Sequence, residues 1–258
     1  MYTQPTEPMG IGQVVDKAFQ LTKASFSRVW YLALLSAIAS SVHAGYQYSQ
    51  GPEALQGGLM QQDTTSWVVY ICGVLLSLLF ASTIYLKQHA AASGQPGGGE
   101  FGVALRKLPA TVFAVILFGI AVGVGMILLI VPGIILLISL ILFQLMVLLE
   151  DKGPLASLNA SHKLVWGNWW RTFGLLLLAL VIVMVMYFMV AFAAGITVAI
   201  LAGNDAMLAA MITMALVIVL MQILVGPFFA ALVLSIYYDL KLRRQGGDLA
   251  VRVGALAT

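Results

Sequence analysis

The stretch that decides the fold is residues 126–176, MILLIVPGIILLISLILFQLMVLLEDKGPLASLNASHKLVWGNWWRTFGLL. It contains an apolar run, a Val-Pro-Gly sequence, a second apolar run, an acidic pair, a short polar segment and the start of a third apolar run. Proline fixes its own φ and glycine accepts a positive φ, so Pro132 and Gly133 can reverse the chain within a few residues. Backbone polar groups cannot be left bare in lipid, so we expect this turn at a membrane surface. The stretch predicts a transmembrane hairpin, a cytoplasmic surface helix and the beginning of the next span.

The composition of the whole chain agrees with a membrane location. Hydrophobic residues make up 61% and charged residues 9% of the 258 residues, against about 45–50% and ~25% in soluble domains. The mean hydropathy is +1.00. A net charge of +3 would suggest nucleic-acid binding in a soluble protein, but here membrane topology explains it better and we expect no nucleic-acid partner. The single cysteine, Cys72, lies in an apolar run, which excludes an intrachain disulfide and predicts a small buried side chain.

Apolar periodicity predicts an all-α integral membrane protein that forms one polytopic domain over residues 1–258. Its six transmembrane helices form three hairpins, each preceded by a cytoplasmic amphipathic segment. The amphipathic segments are at 11–26, 101–108 and 154–169, although residues 11–26 also fit a plain extension of the first span. The spans are predicted at about 29–45, 67–86, 110–130, 134–149, 172–202 and 206–240.

The remaining parts of the chain are predicted from polar residues, glycine and proline. Residues 1–10 and 245–258 are expected to be loose cytoplasmic tails, and the N-terminus lacks the pattern of a signal peptide. Polar connections are expected at 46–66 and at Asn204-Asp205. Gly226 and Pro227 lie within the sixth span, where a proline kink is expected.

The distribution of basic residues predicts the orientation. All thirteen Lys and Arg residues lie in the N-terminal segment, the 87–109 region, the 150–171 region or the C-terminal segment, and none lies in 46–66, 131–133 or 203–206. The positive-inside rule therefore places both termini in the cytoplasm. Aromatic residues near the span ends, including Trp30, Trp67, Tyr237 and Tyr238, fit an interfacial belt.

Three motifs resemble a known family. The segment at 131–168, VPGIILLISLILFQLMVLLEDKGPLASLNASHKLVWGN, is similar to the corresponding region of the YciC-like bacterial inner-membrane proteins. It is also similar to the membrane domain attached to some bacterial glycerophosphodiester phosphodiesterases. IGQVVDKAF at 11–19 and YYDLKLRRQGGDL at 237–249 resemble the first helix and the tail of those proteins. The resemblance implies an inner-membrane protein of poorly understood role and supplies no catalytic residues, because the phosphodiesterase chemistry of those relatives sits in a separate soluble barrel.

The sequence provides few candidates for chemistry. Only three histidines are present, and no HExxH, GxSxG or P-loop pattern occurs. We therefore expect no catalysis, no cofactor and no metal. Gln144 and Gln222 are the deepest strongly polar groups, and we expect them to form an interhelix polar pair, although they could also line a transport path.

The basic surface residues suggest a partner. Lys17, Lys23 and Lys163 lie on predicted amphipathic segments and are candidate contacts for anionic phospholipid headgroups. The sequence thus predicts a non-catalytic inner-membrane protein with a structural, regulatory or lipid-associated role. The alternative is a small-solute or lipid transporter or channel.

Overall fold

The structure is a computed structural model that describes residues 2–50, 63–201 and 206–256. Within these ranges every regular element is a helix. The predicted turn at Asn204-Asp205 and most of the predicted connection 46–66 lie outside the described residues. We number the helices α1 to α8 in chain order: Ile11–Ser49, Thr64–Ala92, Glu100–Leu128, Ile130–Leu140, Phe143–Glu150, Pro154–Trp166, Trp169–Leu201 and Ala206–Leu256.

Six segments are long and apolar enough to cross a membrane: α1, α2, α3, α4 together with α5, α7 and α8. Their apolar side chains point largely outward. Within Trp169–Val198 an 18-residue stretch has a mean hydropathy of 3.0, and only 11% of that stretch is buried. Exposing an apolar surface of this extent to water is unfavourable, whereas lipid chains solvate it. The chain is a multi-pass membrane protein.

Residues 228–240 of α8 are almost all buried. Phe228, Leu232 and Ile236 are almost completely buried. α1 packs along both α2 and α8, and α7 packs along α8. The chain from α3 to α6 packs mainly on itself and also contacts α2. Over this stretch α8 is therefore the central helix, whereas apolar side chains nearer its start, such as Met214 and Ile218, are exposed.

The predicted surface helix 11–26 and the predicted first span 29–45 form one continuous helix, α1. Val14, Ala18 and Leu21 are fully buried in the protein core. Phe19 packs on Phe228 of α8, with 4.6 Å between ring centroids. The structure therefore matches the alternative interpretation, an extension of the first span, because Val14, Ala18 and Leu21 of this segment pack against protein.

The chain reversal between α3 and α4 lies at Leu129, not at Pro132 and Gly133 as predicted. Leu129 is extended, with φ −161° and ψ 140°, and separates two helices. Pro132 lies in the first turn of α4, where its missing N–H costs nothing. Gly133 serves close packing: a Cβ there would lie 2.8 Å from the backbone nitrogen of Met126.

Other predicted boundaries also differ. The predicted fourth span, 134–149, is broken at Ile141 and Leu142, so that α4 and α5 are separate helices. The predicted surface segment 101–108 is the start of α3, which continues through Pro109. The described part of the C-terminal segment is helical as far as Leu256, because α8 extends beyond its predicted end at 240.

Pro227 lies inside α8, as predicted, and the helix continues through it. Its carbonyl oxygen accepts a hydrogen bond of 2.8 Å from Nε2 of Gln88, which is fully buried. Gly226 has open space around its Cβ position. Cys72 is exposed, contrary to expectation, because it lies on the outer side of α2, where lipid can solvate a thiol as well as a core can.

Candidate functional site

The N-terminal segment, α7 and α8 meet at one buried carboxylate. Asp239 has no exposed side-chain surface and accepts hydrogen bonds from the backbone N–H of Met9 at 2.7 Å and from Nε of Arg171 at 3.0 Å. Nε of Arg243 donates to the same carboxylate at 3.1 Å. Both guanidinium groups also donate to the carbonyl oxygen of Met9. We call Met9, Arg171, Asp239 and Arg243 the Asp239 cluster.

Met9 is held in the Asp239 cluster, so the N-terminal segment is not the loose tail that the sequence predicts. Met9 is 6% exposed and is bonded through both of its backbone polar groups. Lys17, predicted to contact lipid headgroups, donates to the carbonyl oxygen of Thr3 at 3.0 Å and lies over the ring of Tyr2. Burial raises the pKa of Tyr2 to about 12. Lys17 therefore holds the N-terminal segment, whereas Lys23 is exposed on α1.

A second polar site opens beside the Asp239 cluster. Glu150, at the end of α5, accepts a hydrogen bond from the hydroxyl group of Tyr237 at 2.8 Å and pairs with Lys152 at 2.7 Å. Lys241 donates to the same tyrosine at 2.8 Å and lies 3.4 Å from the carboxylate. Tyr237 is thus buried and hydrogen-bonded rather than part of the expected aromatic belt. Tyr238 is likewise buried, with its hydroxyl group 2.6 Å from Nδ1 of His89.

The side chains around Glu150 surround a cavity of about 520 Å³. Lys163, the third predicted headgroup contact, lies in its wall. The four cations and one carboxylate in the wall leave three net positive charges. Among the described residues, neither Lys163 nor Arg244 pairs with a carboxylate. We call this site the basic basin and define it by Glu150, Lys152, Asn159, Lys163, Lys241 and Arg244.

The two predicted membrane glutamines have different partners. Nε2 of Gln144 donates to the hydroxyl group of Ser82 on α2 at 3.2 Å. Nε2 of Gln222 donates to the hydroxyl group of Ser36 on α1 at 3.5 Å. Each amide therefore joins two helices, but through a serine rather than through the other glutamine.

Gln144 and Gln222 nevertheless line the same cavity, with a volume of about 390 Å³ between α1, α2, α5 and α8. A second cavity of about 400 Å³ shares Ser36 and Gln222 with it and reaches His43. Nδ1 of His43 is buried and has no hydrogen-bond partner among the described residues. Polar groups thus follow one face of α1 deep into the apolar part of the molecule.

Sequence reasoning missed the three ionised members of the Asp239 cluster. Asp239 and Arg243 are part of the motif at 237–249, and Arg171 is one of the basic residues of the 150–171 region, but neither pattern predicts that they meet. Their spacing carried a usable signal, because Asp239 and Arg243 are four residues apart and share one helix face. No group of three His, Cys, Asp or Glu side chains in the described ranges lies close enough together to hold a metal ion.

The comparisons with known proteins give one match. The model of the family described as a domain of unknown function (DUF7847) matches residues 67–240, about two thirds of the chain. No curated protein and no solved structure matches the chain. The matched region includes Glu150, Arg171 and Asp239 and ends just before Lys241. The chain therefore belongs to the family described as a domain of unknown function (DUF7847).

Proposed function

We propose that this is a non-catalytic, lipid-associated protein of the bacterial inner membrane, and that the basic basin binds the phosphate of an anionic phospholipid headgroup. The net charge of the basin is the observation that carries this proposal. Four cations and one carboxylate, with a net charge of +3, line a cavity of about 520 Å³ whose wall also contains Met146, Ala160 and Leu164. A basic site beside an apolar wall suits a ligand with an anionic head and acyl chains.

The proposed orientation has both termini and the basic basin in the cytoplasm. The distribution of Lys and Arg supports it, as does the resemblance to the YciC-like family. Contacts between Gly73 and Ala39, and between Ser77 and Ser36, show that α1 and α2 run antiparallel. We propose that these two helices form one transmembrane hairpin and that α7 and α8 form another. α6, with Leu158 and Val165 buried and Lys163 exposed, is the amphipathic segment at the cytoplasmic side.

The two acidic sites support a role without catalysis. Asp239 is held by two guanidinium groups and a backbone N–H. Glu150 is held by two ammonium groups and a tyrosine hydroxyl group. A carboxylate held in this way anchors helices to one another and is a poor general base, because its charge is already compensated.

Lipid retention tests the proposal. Lys163→Gln combined with Arg244→Gln removes the two cations that pair with no described carboxylate. Each cation contributes about 1 kcal/mol near anionic lipid, so the double variant should bind phosphatidylglycerol about 30-fold more weakly. Native mass spectrometry of the purified protein with added phosphatidylglycerol or phosphatidylcholine measures this. The matched control is Lys23→Gln combined with Arg28→Gln, which removes two cations from α1.

Two results of that experiment would contradict the proposal. Equal retention of phosphatidylglycerol and phosphatidylcholine by the unmodified protein would remove the role of charge. Equal losses in the basin variant and in the α1 variant would mean that net charge, not the basin, attracts the lipid. Competition by millimolar inorganic phosphate would show that the basin recognises phosphate itself.

The second candidate function, a small-solute or lipid transporter or channel, is favoured by the polar cavities along α1. Ser36, Gln144 and Gln222 give a solute hydroxyl and amide groups within the apolar part of the molecule. If this is the function, Gln222→Leu should abolish flux in proteoliposomes while leaving the protein folded. If the groups only join helices, the variant should be less stable and no flux should depend on it.

A further inference from the structure

The tip of the α3–α4 hairpin is apolar on all sides. Five consecutive side chains, from Ile127 to Val131, are exposed, with Ile127 85% and Val131 65% exposed. No charged residue occurs between Leu108 and Leu149. The other predicted connections on the outer side, at 46–66 and 203–206, contain acidic and amide residues. A tip of this composition would expose a large apolar patch if it projected into water.

The tip lies close to the start of α7. Nε1 of Trp169 donates to the carbonyl oxygen of Ile135 at 3.4 Å. Val131 and Ile135 share a groove of about 670 Å³ with Trp166 and Arg171. Arg171 belongs to the Asp239 cluster, which also contains Met9. The first part of α4 is therefore at the same end of the molecule as the N-terminal segment.

The last residue of α5, Glu150, is also bonded to the end of the molecule that contains the N-terminal segment. Glu150 bonds to Tyr237, two residues before Asp239 in α8. As a straight helix, the 21 residues Ile130–Glu150 would extend about 31 Å and cross the ~30 Å hydrocarbon core. The break at Ile141 and Leu142 instead lets α4 turn back beside α6. Ser161 of α6 stabilises this break by accepting from the N–H of Leu142 and donating to the carbonyl oxygen of Ser139.

We propose that the α3–α4 hairpin does not cross the membrane: it enters the leaflet on the side of the Asp239 cluster and returns to that side. Its exposed apolar surface is an interaction surface for the acyl chains of that single leaflet. The exposed Trp166 and Trp170 mark the headgroup level, where tryptophan is enriched. The identity of the leaflet as cytoplasmic rests on the proposed orientation, whereas the return of the hairpin does not.

The backbone at the tip is suited to lipid. The single non-helical residue, Leu129, donates its N–H to Gly125 at 3.1 Å, and its carbonyl oxygen accepts from Gly133 at 3.4 Å. Pro132 has no N–H that would need a partner. A reversal whose single non-helical residue pairs both of its backbone polar groups leaves fewer of them bare below the headgroups than an open loop would. Pro132 and Gly133 thus contribute to the hairpin tip, although the chain reverses before them, at Leu129.

Spin-label distances in the full-length protein test the proposal. In a Cys72→Ser background, labels at Val131→Cys and Trp166→Cys should give a distance well below the ~30 Å hydrocarbon thickness, because both positions line one groove. The control pair, Val131→Cys with Ser49→Cys, joins the tip to the opposite end of α1 and should give the longer distance. A 131–166 distance near or above 30 Å, with 131–49 the shorter, would overturn the proposal.

Two additions make the result decisive. If the first pair fails to fold, Leu129→Cys with Trp170→Cys measures the same separation. Labelling of Trp166→Cys in intact cells with a membrane-impermeant maleimide then assigns the leaflet, with Ser49→Cys as the opposite control. If Trp166→Cys is labelled from outside while the 131–166 distance stays short, the proposed orientation is wrong and the return of the hairpin stands.

Discussion

Asp239 joins parts of the chain that are far apart in sequence, since Met9 lies 230 positions before it. Burying a carboxylate is unfavourable unless charged partners compensate for the lost hydration. Here two guanidinium groups and one N–H supply that compensation, and the guanidinium groups are in turn shared with the carbonyl oxygen of Met9. The cluster therefore holds the N-terminal segment against α7 and α8.

Removing the charge of Asp239 should destabilise the protein strongly. We expect Asp239→Asn to lower the free energy of unfolding by about 3–5 kcal/mol, because two guanidinium groups lose their buried counter-charge. Thermal unfolding in detergent measures the effect. Asp151→Asn is the matched control: that carboxylate pairs with Lys107 but is 80% exposed, so its loss should not be measurable. Equal effects of the two substitutions would mean that the Asp239 cluster is well hydrated.

Gln144 provides a second test at the level of single residues. Gln144→Leu should lower the free energy of unfolding by about 0.6–2 kcal/mol, the range for an interhelix hydrogen bond in a membrane. Adding Ser82→Ala should cost less than Ser82→Ala alone, because the two groups share one bond. Additive losses in this double-mutant cycle would show that the observed bond contributes nothing to stability.

Close packing decides the geometry of the helix pairs. Gly73 brings α2 against the carbonyl oxygen of Ala39, which would lie 2.6 Å from an added Cβ. Gly133 and Gly125 likewise allow α4 and α3 to approach each other closely. A wider separation would weaken the dispersion contacts on which helix association in lipid depends. These glycines are therefore packing positions, and their sequence context does not distinguish them from the many other glycines of the chain.

A pair of glycine substitutions tests this at the level of the hairpin. Gly133→Ala should destabilise the protein by about 1–3 kcal/mol, because the added methyl group collides with the backbone of Met126. Gly119→Ala on α3 is the control, since no atom lies within 4 Å of its Cβ position. It should be neutral or stabilising by up to about 1 kcal/mol through helix propensity. Thermal unfolding compares the two, and a shift of the same sign and size in both would contradict close packing at Gly133.

At the scale of the whole molecule, the return of the α3–α4 hairpin leaves the positive-inside pattern intact. A hairpin that crosses twice and a hairpin that never crosses both leave the 87–109 and 150–171 regions on the side of the termini. The distribution of Lys and Arg is therefore equally consistent with six crossings and with four. This is why the sequence predicted three transmembrane hairpins.

Reporter fusions test the orientation separately from the hairpin. Fusions after residues 95, 155 and 250 should all report the cytoplasm, because the basic residues near these positions favour that side. A paired alkaline phosphatase and fluorescent-protein reporter gives opposite signals for the two sides. Alkaline phosphatase activity at any of the three positions would refute the proposed orientation. The spin-label distances would still decide whether the hairpin crosses.

The sequence by itself determined the class of this protein, the number of apolar segments and the parts of the chain in which the basic residues gather. These properties depend on local hydropathy and on charge counts, which are additive along the chain. Only the tertiary structure decided that Met9, Arg171 and Asp239 meet, that Gln144 and Gln222 bind serines, and that α4 turns back towards the start of α7. Apolar side chains show that a segment prefers lipid, but they do not show whether it crosses the membrane or returns to the side from which it entered. The contacts that set direction join residues far apart in the chain, and local pattern does not encode them.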